Sequence, residues 1–434
     1  MLKRHLVHFC INLDHGLGYQ GYYEYTLTMT IILYAIPGFF LLIALEMIVD
    51  RVRNTGYYRL NDAISSLSVG MLSRVATVIK ALIPLSLYAI IIDSVAMISW
   101  PQGWVAWLAA FVIYDFLYYW NHRLGHEISV LWAAHVVHHS SEEYNLTTAL
   151  RQTSGSFLNF FFFIPMAFLG ISIETMLSIA ALNLVYQFWV HTRHIDKLGA
   201  LDRILVTPSN HRVHHAQNDI YIDKNYGGVF ILWDRMFGTF QEEVDSEPPL
   251  YGIRTPLRSW NPIWTNVKVY KQLFSDSMQT RKWGDKLRVW FGRTGWRPED
   301  VLAKSPVKPA FNPAQFKKFD VALSSAKGVY ACLQLAMGFV LTLAMLLNLA
   351  NLSTMQLVSW CIVLTVTLVS LGAVIELKPW TAISEIVKWV LVAFAVLFSP
   401  APMWSVYAVI VLFALSTLWL MWCRIDPQQQ ASRI

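Results

Sequence analysis

Seven apolar stretches constrain the fold of this chain more than any other feature: Thr28 to Ile48, Val75 to Trp120, Phe157 to Val190, Val329 to Ala350, Met355 to Ile375, Ile383 to Leu397 and Met403 to Trp422. A bilayer-crossing helix needs about 20 mostly apolar residues, and in hydrocarbon every backbone N–H and C=O must be satisfied internally. With 55% hydrophobic and 14% charged residues over 434 positions, the class expected is an all-α, polytopic integral membrane bundle and not a soluble protein. The first residues, "MLKRHLVHFCINLDHG", offer no sustained apolar core and no small-residue cleavage site, so no cleavable signal is expected.

Two stretches are too long for one crossing and contain breakers. Val75 to Trp120 includes "SWPQG" (Ser99 to Gly103), and Phe157 to Val190 includes Pro165 and "GISIE" (Gly170 to Glu174). Each reads as a hairpin, the second with short arms that fit a tilted or re-entrant form. Cytoplasmic flanks accumulate Lys and Arg. Arg51, Arg53, Arg59 and Arg74 follow the first span, and twenty basic residues lie between Arg193 and Lys318. The turns "SWPQG", "GISIE", "NLANLST" and "FSPAP" have none. These turns are thus expected on the opposite side, and every polar segment holding the histidine clusters on one face, the cytoplasmic face of a bacterial inner membrane or an endoplasmic reticulum. The net charge of +6 is a topology signal suited to anionic lipid; a nucleic-acid partner is not expected.

Three parts are expected: N-terminal membrane helices over 1–120, a histidine-rich region over 121–322 containing the hairpin 157–190 and a cytoplasmic segment, and a four-span bundle over 323–434. Within the cytoplasmic segment "TRKWGDKLRVWFGRTGW" (Thr280 to Trp296) alternates basic residues with tryptophans. That composition suits the headgroup layer, and a surface helix packed on the domain suits it equally. Cys10, Cys332, Cys361 and Cys423 form no zinc or redox spacing and read as packing residues.

Ten of the thirteen histidines fall between His122 and His215, in "HRLGH" (His122, His126), "HVVHH" (His135, His138, His139), "HTRH" (His191, His194) and "HRVHH" (His211, His214, His215). Residues three and four apart share a helix face, so His122 with His126, and the first with the third histidine of each HxxHH, can aim at one point. One zinc takes three or four protein ligands and would strand half of these side chains. Two ions with open positions fit the count, and oxygen chemistry favours iron over zinc. His194 fits either the site or the outer face. His5, His8 and His15 read as interfacial hydrogen-bonders. A metal-bound imidazole usually gives its second N–H to a carboxylate or carbonyl, which makes Glu127 and Asp115 the candidate supporting acids; Glu142, Glu143 and Asp223 lie near, and Glu46 and Asp93 sit within or at the edge of spans.

HxxxH, HxxHH and a later HxxHH along a membrane chain resemble the fatty acid hydroxylase and sterol desaturase superfamily. Within it, "RLNDAISSLSVGMLSR", "HHSSEEYNLTTALRQ", "LVYQFWVHT", "TPSNHRVHH" and "DKNYGGVFILWDRMFGTF" resemble the alkylglycerol monooxygenase family, from about Arg59 to Pro262. The resemblance implies a diiron site held by His122, His126, His135, His138, His139, His211, His214 and His215, with His191 a further ligand. It also implies an O2-dependent, tetrahydrobiopterin-dependent monooxygenase that hydroxylates the carbon next to the ether oxygen of alkylglycerol lipids, giving a fatty aldehyde and a glycerol derivative. Hydroxylases of the wider superfamily often pair the histidine corresponding to His191 with another four residues on; here position 195 is Ile195, so that pairing is absent. No fused cytochrome b5 signature such as HPGG occurs, so electrons are expected from a separate donor or pterin-regenerating system. The alternatives are the same site acting on a fatty acyl or sterol-like chain, a zinc-dependent membrane hydrolase, and a metal transporter.

Overall fold

The computed structural model describes residues 19–80, 82–155, 157–306, 312–349, 351–398, 411–412, 414–416 and 418–419. Among them every regular element is a helix, with three isolated bridges between extended segments. α1 (Tyr19–Arg53) contains the first expected span. α2 (Leu60–Lys80), α3 (Leu82–Val95) and α4 (Trp104–Glu127) follow, then α5 (Ser129–His139). A single extended residue, Ile128 (φ −110°, ψ 126°), parts α4 from α5, so the chain bends sharply between the first two histidine motifs. α6 (Leu146–Ala149) is opened by a reciprocal cap between Asn145 and Thr148.

The stretch Phe157 to Val190 folds back on itself with a short first arm. Its first arm is a 3₁₀ turn, Leu158–Phe163, running into α7 (Ile164–Phe168). Together they rise about 20 Å, short of the ~30 Å hydrocarbon core. Pro165, with no N–H to give to the preceding turn, ends the first piece and sits at the start of the next. Gly170 then turns the chain at φ 70°; a Cβ there would meet Ile98 O at 2.2 Å, so the turn requires glycine. α8 (Ile173–Trp189) returns, capped by Ser172 Oγ accepting from Thr175 N.

The histidine-bearing α9 (Pro208–His214) and the short α10 (Leu232–Met236) precede a helical pair, α11 (Pro262–Gln279) and α12 (Trp283–Phe291), and the one-turn α13 (Glu299–Leu302). α14 (Ser325–Leu347), α15 (Thr354–Ile375) and α16 (Thr381–Leu397) correspond to three of the expected C-terminal spans. α14 and α15 are long and apolar enough to cross a bilayer. α3, α8 and α16, of 14, 17 and 17 residues, measure about 21–26 Å. Most of the expected Met403 to Trp422 span, with His5, His8, His15, Cys10 and Cys423, lies outside the described residues.

Tyr88, Ala110, Tyr114, Met166, Ile171 and Ile179 pack α3, α4, α7 and α8 into one core. Met71 and Leu72 join α2 to Leu368 of α15. Between α14, α15 and α16 lies a sealed polar group: Lys388 Nζ donates to Gln334 Oε1 (2.7 Å) and Glu385 Oε2 (2.5 Å), and Ser370 Oγ donates to Glu385 Oε1 (2.6 Å). Cys361 is buried among Val75, Met345 and Leu364, a packing position.

Candidate metal centre

Nine imidazoles converge in two adjoining groups. His122, His126, His135, His139 and His214 form the first, and His138, His191, His211 and His215 the second; within each, one nitrogen from every ring lies within 4.8 Å of the others. The helical spacing explains the sorting. On α5, His135 and His139 are one turn apart and face the first group, while His138, offset around the helix, faces the second. The next motif is arranged the other way, with His211 and His215 in the second group and His214 in the first. His122 and His126 enter from the last turns of α4, and His191 follows the end of α8. The groups abut, the His139 and His215 rings stacking at 4.3 Å.

Backbone carbonyls fix four of the rings. His122 Nδ1 donates to Tyr226 O (2.8 Å), His138 Nδ1 to Arg151 O (3.1 Å), His191 Nδ1 to Gln187 O (2.7 Å) and His214 Nδ1 to Lys224 O (3.0 Å). With the proton of a neutral ring held on Nδ1, Nε2 carries only a lone pair. Yet His138 Nε2 faces His191 Nε2 at 3.2 Å. Two lone pairs cannot hydrogen-bond each other, and a cation between them relieves the repulsion. Nitrogens about 2.1 Å from one ion and about 90° apart lie about 3.0 Å from each other, and His122 with His135 (2.9 Å) and His191 with His211 (3.1 Å) have that separation. His126, His214 and His215 each bury an Nε2 with no hydrogen-bond partner, a cost of about 1–3 kcal/mol apiece unless something is bound. The donor set fits metal ions and is consistent with iron.

Desolvation keeps these rings neutral, the ligating form. Burial pushes His122 down to about 3 and His138 down to about 4. The other seven are held well below the ordinary histidine value by burial, with neighbouring imidazoles adding to it.

The acids expected to support the site are elsewhere engaged. Asp115 takes Val229 N (2.8 Å), Phe230 N (3.1 Å) and Trp233 Nε1 (2.9 Å), so it fastens the 227–233 segment to α4 and touches no imidazole. Glu127 pairs with Arg123 (3.0 Å) on its own helix. At four of the nine rings a carbonyl already occupies the Nδ1 position that a carboxylate would take. Asp223 comes nearest, 3.9 Å from His126 Nδ1. Glu143 binds Arg59 (2.5 Å) and Lys318 (2.6 Å), and Glu142 takes Phe319 N (2.5 Å). His194 lies outside both groups, its ring 5.0 Å from Tyr57 and its Nε2 4.0 Å from Asp50. Glu46 of α1 accepts from Leu146 N (2.8 Å), Thr192 Oγ1 (2.5 Å) and the Tyr58 hydroxyl, pinning the loops on either side of the 157–190 stretch; Asp93 is exposed.

Two residues that the sequence reading passed over position the rings. Arg151 is fully buried and donates to Val137 O (3.0 Å), Ser140 Oγ and Ser65 Oγ (both 3.1 Å), closing the end of α5 while its carbonyl holds His138. Asp234 takes Tyr226 N (2.8 Å), Gly227 N (2.7 Å) and Thr239 Oγ1 (2.6 Å), which sets the segment whose carbonyls hold His122 and His214. A solitary Arg in the apolar run "LTTALRQ" was a usable signal; a carbonyl partner has none.

The fatty acid hydroxylase family model matches residues 107–239, the segment that carries both histidine groups. The chain is 37% identical to the alkylglycerol monooxygenase of Xenopus tropicalis, over 82% of this chain and 80% of that one. It is 35% identical to that of Homo sapiens over the same shares. An ornithine lipid hydroxylase of Rhizobium tropici is 31% identical over 32% of this chain and 44% of its own. No solved structure matches. A similarity that extends well beyond the histidine segment, joined to that segment's own match, makes this chain a member of the alkylglycerol monooxygenase family within the fatty acid hydroxylase superfamily, an oxygen-dependent oxidoreductase that acts on lipid.

Proposed function

We propose that the chain is a multi-pass membrane monooxygenase that hydroxylates the carbon next to the ether oxygen of alkylglycerol lipids, with two irons held by the five-histidine and four-histidine groups on the cytoplasmic side. The observation that carries the reading is the division of nine imidazoles into two adjoining sets, with the His138 and His191 lone pairs opposed at 3.2 Å. Iron, when bound, supplies the dioxygen-dependent removal of hydrogen from an otherwise inert C–H bond. The carbon beside an ether oxygen is the activated one, because the oxygen lone pair stabilises an electron-deficient neighbour. One oxygen atom of O2 enters the lipid and the other leaves as water, with two electrons from tetrahydrobiopterin. The resulting hemiacetal breaks its C–O bond to give fatty aldehyde and a glycerol derivative.

The chain's own residues supply orientation and exclusion of water. Carbonyls from Tyr226, Arg151, Gln187 and Lys224 lock four rings. Tyr144 and Tyr251, stacked at 4.8 Å, close the side of the second group, Tyr144 lying 5.2 Å from the His215 ring. The location on the cytoplasmic face rests on the basic flanks, and membrane association on α14, α15 and the lipid-acting relatives.

The test is incubation of purified protein with an alkylglycerol, iron, O2 and tetrahydrobiopterin, measuring aldehyde and bound metal. Stoichiometric aldehyde with close to two irons per chain is expected. One zinc per chain and turnover without oxygen would overturn the reading, and a hydroxylated acyl chain without aldehyde would reassign the substrate to another lipid.

A further inference from the structure

Beyond the segment matched by the family model, α11 and α12 form a helical pair with two apolar faces. The inner face is accounted for: Leu273 and Val289 are buried against Ala133 of the histidine helix α5. The outer face is not. Trp283, Leu287 and Phe291 stand one turn apart along α12 and are 80%, 66% and 65% exposed, and Phe274 and Met278, one turn apart on α11, are 59% and 64% exposed. Residues at that spacing form one stripe. Exposed cations border it: Lys271, Arg281, Lys282 and Arg288. Lys286 Nζ lies 5.6 Å from the Trp283 ring centre and donates to Ser277 O (2.9 Å), linking the two helices.

The start of this pair is tied to the end of a helix long and apolar enough to cross a bilayer. Glu376, which follows α15, takes Trp260 N (2.5 Å) and Asn261 N (3.1 Å), and Asn261 is the residue that caps α11. α11 therefore begins beside the end of the apolar length of α15, which on the membrane reading above is where hydrocarbon gives way to headgroups. We propose that the outer face of α11 and α12 is a membrane-surface platform that seats in the headgroup layer of an anionic phospholipid leaflet, its apolar stripe in the acyl boundary and its cations on the lipid phosphates. Apolar aromatic stripes with Lys and Arg along the border match that layer in both chemistry and charge.

The platform is tied to the metal groups through backbone. Ser129 N donates to Gly292 O (3.0 Å) and Thr294 N donates to Glu127 O (2.9 Å), so the segment leaving α12 grips the one-residue joint between the two helices that carry His126 and His135. Seating the pair fixes the tilt of that joint against the leaflet from which a lipid substrate arrives.

The proposal rests on the membrane reading above, and its test separates the two. In a cysteine-free background, nitroxides are placed singly at Leu287, Phe291 and Phe274, with Val340 of α14 as the spanning control and Glu299 as the water control, both exposed. The protein is reconstituted in nanodiscs containing anionic phospholipid, and collision with O2 is compared with collision with a water-soluble nickel chelate. Positions 287, 291 and 274 are expected to favour O2 as Val340 does, by several-fold over Glu299, and the charge reversal K282E with K271E is expected to lower that ratio. Nickel accessibility at 287 and 291 equal to that at 299, with Val340 in lipid, would overturn the platform alone. Protection from both probes would mean that a protein covers the stripe, which also overturns it. Nickel accessibility at Val340 would overturn the membrane reading itself.

Discussion

Replacing Asp234 by Asn should empty one metal group while sparing the other. Asp234 is buried and accepts three hydrogen bonds, two of them from Tyr226 N and Gly227 N. The amide has the same shape but turns one acceptor oxygen into a donor. One backbone N–H then loses its partner and faces an N–H. A lost charge-assisted hydrogen bond with a stranded buried donor costs about 2–4 kcal/mol. That cost falls on the segment from Lys224 to Gly227, whose carbonyls hold His214 and His122, and both rings belong to the five-histidine group. Loss of an outer partner of a metal ligand lowers affinity about 10–100-fold, and here two ligands are affected together. The four-histidine group draws its orienting carbonyls from Arg151 and Gln187, which Asp234 does not touch. Metal analysis after dialysis against a weak chelator should therefore fall from about two ions per chain towards one, with elution volume and helical circular dichroism unchanged. Equal loss from both groups, or no loss, would refute the assignment of Asp234 as the support of one group.

His138→Ala and His214→Ala should each abolish turnover and lower bound metal, whereas His194→Ala, outside both groups, should keep metal content within error; loss of metal in all three would point to misfolding. The buried imidazoles have lowered pKa values, so the unfolded chain binds more protons than the folded one below about pH 6.5. Metal-free protein should accordingly be most stable above that pH and lose stability as the pH falls from about 6.5 towards the values to which burial pushes His122 and His138, about 3 and about 4; a melting temperature flat between pH 7 and 5 would contradict this. Lys388→Met leaves Glu385 sealed without its cation and should cost about 3–5 kcal/mol, read by unfolding in mixed micelles, and the double change with Glu385→Gln should recover most of it.

Much of this protein was legible in its sequence because the signals are local. Apolar length located α1, α4, α14, α15 and α16, of which α14 and α15 are long and apolar enough to cross a bilayer. The i, i+4 spacing of His122 with His126, His135 with His139 and His211 with His215 already stated which pairs share a face, as helix geometry requires nothing beyond the chain itself. The relation between motifs was not local, and tertiary structure decided it. Nothing in "HVVHH" says that His138 joins His191 and His211, more than fifty residues away, while its neighbours on α5 join His122 and His214. The breakers and short arms of Phe157 to Val190 were legible in the sequence, but the form of its first arm, a 3₁₀ turn broken at Pro165 and closed by the tight approach of Gly170 to Ile98, came only with the fold. Glu127 and Asp115 drew attention as acids near histidines, and the fold gave their expected positions to carbonyls of Tyr226, Arg151, Gln187 and Lys224. Every residue carries a carbonyl, so its choice as a partner leaves no trace in residue identity and exists only once distant segments have packed.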